Sequence, residues 1–222
     1  MAVANHFKRV FSKISSLGFL LESDPKLPSV CTLITGAPLR GSWWSHPLAQ
    51  TIFQVNQKLE DHSDVLLTKL VSGKVTFVHR DLWSEVLAIG TAQEAWQMEG
   101  LSASAQALLK TVEESGVLRT DQIDWARSLS RSTAKKKPGD NARDLERKLL
   151  IHAEQIHTES GAHAKLLETW EHWSKRTGFA APAIEPIQTK RNMEERLRKL
   201  NDEFGATARL PWKAGKSLRK RS

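Results

Sequence analysis

The sequence predicts an α+β fold, mostly helical, built as two units with a charged end. Three observations predict it. Apolar residues recur at helical spacing over 5–21 and again over 102–115. Val65–Val71 and Lys74–His79 flank Ser72-Gly73, the pattern of a β-hairpin. Beyond residue 101, two short helical stretches, a third helix and a second hairpin-like stretch follow in the order of a winged-helix domain. The expected boundaries are an N-terminal α+β unit over 1–100, a winged helix over 101–176, and a linker, charged helix and basic tail over 177–222.

In the first unit, Phe7, Val10, Phe11, Ile14, Leu17 and Leu21 make one face of a helix over 5–21. Ser23-Asp-Pro-Lys-Leu-Pro28 breaks it, and Ser29–Thr35 is expected as a short strand. Residues 36–47 are rich in breakers and form a loop, after which Pro47 starts a helix over about 48–60. The hairpin of 64–79 comes next. A helix over about 81–90 carries Leu82, Trp83, Val86 and Leu87.

The second unit opens with a helix over 102–115 whose buried face holds Ala105, Leu108, Leu109 and Val112. Gly116 stops it, Val117-Leu118-Arg119 crosses over, and Thr120 or Asp121 caps a second helix carrying Ile123, Trp125 and Leu129. A polar, basic connection over 131–141 leads to a third helix with Leu145, Leu149 and Leu150 as buried positions. Residues 150–173 suit two structures. As one helix, His152, Ile156, Glu159, His163, Leu167 and Trp170 fall within about 60° of each other. As a hairpin, Ser160-Gly161 is the turn. The hairpin is expected, because Gly161 weakens a helix interior and a hairpin completes a winged helix. Residues 177–189 read as a semi-rigid linker and about 190–204 as a charged helix. No internal repeat is visible.

Charge is uneven. Residues 1–130 hold 12 Lys/Arg against 13 Asp/Glu, and residues 131–222 hold 21 against 12, giving −1 and +9 and the total of +8. The last fourteen residues carry Arg209, Lys213, Lys216, Arg219, Lys220 and Arg221 with no acid. A near-neutral body with a cationic end is the asymmetry of a protein that meets a polyanion. No apolar run is long enough to span a bilayer, and the broken, charged start is unlike a signal peptide. The single cysteine, Cys31, cannot form an internal disulfide, so a reducing, cytoplasmic setting is expected, with Cys31 as a small buried apolar residue.

Gly18-Phe19-Leu20 and Leu27-Pro28-Ser29 resemble segments of the winged-helix superfamily of bacterial alkylpurine and crosslink DNA glycosylases and their uncharacterised relatives. Leu101-Ser102, Ala105, Leu108-Leu109, Gly116 and Leu118 resemble the opening of its winged helix. Asp144-Leu145-Glu146-Arg147 and the stretch turning at Gly161 resemble the third helix and wing. The resemblance implies DNA binding, to damaged or branched DNA. Those enzymes use a Gln-x-Gln or Gln-x-Asp pair, whose only match is Gln122-Ile123-Asp124, farther along the chain than the family's motif. Gln122 and Asp124 are therefore the catalytic candidates that the resemblance implies; their other role is as first-turn polar residues of a helix.

Several groupings are candidate contacts. Lys135, Lys136 and Lys137 precede the third helix, and Arg143, Arg147 and Lys148 lie on it; with Arg219, Lys220 and Arg221 in the tail they form the expected DNA-binding set. Arg40, Trp43, Trp44 and His46 lie in one loop, where a tryptophan beside a cation suits stacking on a base, although Trp pairs more often pack in a core. Lys69, Lys74, His79 and Arg80 either cradle phosphate or protect an edge strand. Four histidines crowd 152–172, but their spacing fits no zinc pattern, so neither metal nor cofactor is expected. The leading expectation is backbone-dominated DNA binding in regulation or repair. A glycosylase-like or other hydrolytic enzyme and a protein–protein interaction module are the alternatives.

Overall fold

The computed structural model describes residues 2–39, 41–123, 138–157, 163–180 and 184–213. Its fold is α+β and mostly helical, with two small antiparallel sheets of three strands each. The chain divides into two compact units, Met1–Glu85 with Ile187–Ser222, and Val86–Pro186. Among the described residues, no helix is long and apolar enough to cross a membrane.

In the first unit, helix α1 (Ala2–Leu17) buries Val10 and Ile14. It ends sooner than the periodicity predicts. Gly18 closes it at a φ of 83°, its N–H reaching the carbonyl of Ile14 at 2.7 Å, and Phe19–Leu21 leave as strand β1. Glycine is needed here, because a Cβ would lie 2.6 Å from Leu82 Cδ1. The expected strand at 29–35 is instead helix α2 (Val30–Thr35). Ser29 caps it, its hydroxyl accepting from the N–H of Thr32, and Gly36 ends it in the left-handed region. Two good caps outweigh the β-branched content of this short run.

Helix α3 (Ala49–Glu60) starts two residues after Pro47 and buries Ile52, Val55, Asn56 and Leu59. Strands β2 (Val65–Val71) and β3 (Lys74–His79) form the predicted hairpin, with Ser72 at a φ of 53° in the turn. Strand β1 joins the other edge of β3, giving the order β1-β3-β2 with Phe19 opposite Val78 and Leu66 opposite Val78. Val10, Ile14, Leu20, Cys31, Trp43, Val55 and Phe77 share one core. The region predicted as a helix over 81–90 begins as a 3-10 turn, Arg80–Leu82, and continues as α4 (Trp83–Gly90).

The C-terminal segment completes this unit. Its helix is longer than predicted, running Pro186–Phe204 and burying Thr189, Met193, Leu197 and Leu200. Past it the chain reaches the hairpin turn: Ser72 N–H donates to the carbonyl of Arg209 at 2.7 Å, and Arg209 N–H donates to Ser72 Oγ at 3.1 Å.

The second unit contains a short helix that the periodicity does not reveal, α5 (Ala95–Met98), framed by a capping box of Glu94 and Gln97. Helix α6 (Ala103–Ser115) is capped by Ser102 and stopped by Gly116 as predicted, and strand β4 (Val117–Arg119) follows. Thr120–Gln122 form a single 3-10 turn and Ile123 is extended. The remainder of the expected second helix, with Trp125 and Leu129, lies outside the described residues.

Helix α7 (Pro138–Arg147) ends before Leu149, which sits at a φ of 55° and turns the chain into the hairpin of β5 (His152–His157) and β6 (His163–Glu168). Strands β5 and β6 therefore pair antiparallel, as expected of the hairpin, while its predicted turn at Ser160-Gly161 lies outside the described residues; β4 adds to β6 with Leu118 opposite Leu167, giving the order β4-β6-β5. Ala105, Leu108, Leu109, Val112, Ala142, Leu145, Leu150 and Leu167 form this unit's core. Helix α8 (Trp170–Thr177) is capped by Thr169. The C-terminal helix Pro186–Phe204 is α9.

Candidate nucleic-acid interface

Helix α7 buries Asn141, Ala142, Leu145 and Glu146, so its polar face turns to solvent. That face carries Arg143 and Arg147, one turn apart and both exposed, beside Asp140 and Asp144. Arg143 Nη1 pairs with Asp140 at 3.1 Å, with both side chains about half exposed. An ion pair so exposed is weak and open to exchange for a phosphate.

Lys148 behaves differently. Its ammonium donates to the carbonyls of Trp96, at 2.9 Å, and Glu99, at 2.7 Å, tying the end of α7 to α5. Burial pulls its pKa down, while the charges of Glu99 and Asp144 act the other way. Gln97 Nε2 adds a bond to the carbonyl of Lys148 at 3.1 Å. Lys135, Lys136, Lys137, Arg219, Lys220 and Arg221 lie outside the described residues, as do Asp124 and Arg40. Gln122 is exposed on the 3-10 turn after β4.

The loop of the tryptophan pair is a 3-10 turn, Trp43–Ser45, whose first N–H groups are partly met by Ser42 Oγ. It splits the pair between two fates. Trp43 is buried, whereas Trp44 is 63% exposed and lies nearly parallel on it, with ring centroids 4.0 Å apart and planes at 23°. Phe53 of α3 flanks Trp44 at 5.7 Å. His46 Nδ1 accepts the N–H of Leu48 and so shapes the entry to α3.

Under Trp43 lies a feature that charge patterns along the chain do not disclose. Glu22, at the end of β1, is mostly buried, hydrogen-bonded by Trp43 and accepts a hydrogen bond from Asn56 Nδ2 at 3.0 Å. Burial pushes its carboxyl pKa up, and neither the Trp43 bond nor the nearby Lys69 charge cancels that. The Cys31 thiol beside it is also pushed up, to about 11, chiefly by burial, so it is no nucleophile.

The hairpin cations do not share one open face. Lys74 Nζ binds the buried Asp24 at 2.7 Å; although burial opposes ionisation, this bond and the N–H groups of Leu27 and Lys26 hold the carboxyl below its usual range. His79 pairs with Asp81 at 3.1 Å, and Arg80 pairs with Asp64 at 3.5 Å while lying over Trp83. Thr76 and Val78 on one face of β3 and Phe77 on the other are all fully buried, so β3 serves the core on both faces.

The histidine-rich segment is organised by a residue that the sequence does not mark, Glu168. Its carboxylate is fully buried and accepts from His152 Nδ1 at 2.9 Å, His172 Nδ1 at 2.8 Å, and Arg176 Nη2 and Nε at 2.6 and 3.1 Å. Burial opposes ionisation, but the bonds from His152, Arg176 and His172 prevail and carry the pKa down to about 2. The carboxylate can only accept, so both Nδ1 atoms carry hydrogen. His172 also borders a cleft of about 470 Å3 with Gln93, Glu113, Trp170 and Lys175. Among the described residues, no three His, Cys, Asp or Glu side chains are placed to hold a metal ion.

The signals that would have found Glu22 and Glu168 are slight. Each is an acid directly after an apolar pair, Leu20-Leu21 and Leu166-Leu167, at or just past the end of a strand. Comparison with curated proteins and with solved structures returned no match. A family model described as AlkZ related matches residues 4–208, which takes in both units, and the chain belongs to that family.

Proposed function

We propose that the chain binds DNA in a repair role, through contacts dominated by the phosphate backbone. The observation that carries this is membership of the AlkZ-related family across both units. Geometry adds support in the second unit. Helix α6, strand β4, helix α7 and the β5–β6 hairpin, with strand order β4-β6-β5, support a winged-helix reading, whose second helix would fall on residues outside the described ones. Helix α7 then corresponds to the reading helix, and its outer face offers Arg143 and Arg147. Lys135–Lys137 directly before it and Arg219–Arg221 in the tail extend the cationic set along the chain. Lys148 contributes by anchoring α7 through the Trp96 and Glu99 carbonyls.

The test is binding of labelled duplex and branched DNA across a salt series. Backbone-dominated contact makes affinity fall steeply between about 50 and 200 mM salt, with a slope that counts the phosphates neutralised. Absent or salt-insensitive binding overturns the proposal.

Family membership also favours a second reading, glycosylase-like hydrolysis of an N-glycosidic bond. Gln122 and Asp124 are its catalytic candidates. Release of an alkylated base from DNA by the full chain, lost in Gln122→Ala and Asp124→Ala while DNA binding persists, is the result it requires.

A further inference from the structure

We propose that the outer face of Trp44 is a stacking platform for an unpaired nucleobase. The inference deepens the DNA-binding role proposed above and rests on it.

The platform is built from beneath. Trp43 belongs to the core of the first unit and is hydrogen-bonded to Glu22, whose carboxyl is fixed in turn by Asn56. Trp44 continues the stack outward at 4.0 Å and 23°, a geometry close to that of successive bases. Ser42 and the 3-10 turn hold the backbone there, so little conformational freedom remains to be lost on binding. At 63%, Trp44 has the greatest exposure of any large apolar side chain among the described residues.

Phe53 of α3 flanks Trp44 at 5.7 Å, so the exposed ring is held from the side as well as from below. A flat aromatic face held in this way matches the π-face of a heteroaromatic base better than it matches an aliphatic anchor from a protein.

The experiment compares a fully paired duplex with the same duplex carrying one unpaired 2-aminopurine. The wild-type chain is expected to bind the second about tenfold more tightly and to quench its fluorescence. Trp44→Ala is expected to lose both the preference and the quenching while its affinity for the paired duplex stays within about twofold; Trp44→Phe retains most of the preference. Equal binding of the two duplexes by the wild type, or a preference that survives in Trp44→Ala, overturns the platform and leaves the DNA-binding role standing. Failure to bind either duplex overturns both.

Discussion

The imidazole of His152 and the carboxylate of Glu168 meet at 2.9 Å between neighbouring strands, with 6% and 0% of their side chains exposed. They stand opposite each other in the β5–β6 ladder, so the pair spans the hairpin on its buried side. Arg176 and His172 of α8 reach the same carboxylate, and one residue thereby joins two strands to the following helix. Such a charge is stable only while every partner is present.

Acid stability should report on this carboxylate. The folded-state pKa is lowered to about 2 from an ordinary value of 4.5, so the stabilisation is fully present above the unfolded value and is lost as pH falls from about 4.5 through about 2. The difference corresponds to about 3 kcal/mol. Denaturant titrations between pH 6 and 2 should show this loss. Glu168→Gln should be less stable at neutral pH by about 3 kcal/mol, since it leaves Arg176 and the two histidines short of an acceptor, and its acid limb should be flatter.

Arg143→Ala with Arg147→Ala should weaken DNA binding without unfolding the chain, because both side chains face solvent. Each phosphate contact contributes about 0.9 to the slope of log K against log salt. The double variant should lose about 2 from that slope while its thermal midpoint stays unchanged. An unchanged slope removes α7 from the interface.

Lys148→Met should act on stability instead. It keeps the aliphatic stem and deprives two carbonyls of their donor, at a cost of about 1–2 kcal/mol by chemical denaturation. A change in the salt slope comparable to that of the arginine variants would show that the lysine meets phosphate after all.

Gly90→Ala tests the packing of the second unit. A Cβ there would lie 2.3 Å from Trp170 Nε1, and that nitrogen is held by the carbonyl of Leu149 at 2.7 Å. The ring cannot retreat without breaking its bond, so a loss of about 2 kcal/mol or more is expected. Near-native stability would show that the ring has room to move.

Much of this architecture was legible along the chain. Ser102 and Gly116 bracket α6, and Ser72-Gly73 marks the first hairpin, because caps and turns are local chemistry. Ser29–Thr35 was misleading since its β-branched residues suggest a strand while Ser29 and Gly36 bound a helix. Local pattern also extended α1 through Leu21, where β1 departs to pair with β3 more than fifty residues away. The candidate sites show the same division. Trp43-Trp44 could be named from adjacency, but the Glu22–Asn56 bond in the same unit joins residues that no spacing rule brings together. Glu168 gained its role from partners at 152, 172 and 176, which only a folded hairpin assembles.

The discontinuous make-up of the first unit bears on its biogenesis. Its leading 85 residues leave the ribosome well before α9, whose Met193, Leu197 and Leu200 become buried, and the intervening segment Val86–Pro186 must be translated first. At about 5–20 residues per second that delay lasts about 5–20 s. Through it the nascent β-hairpin turn lacks its bonds to Arg209, so the late-made strap, rather than the early hairpin, sets when this half of the molecule finishes folding.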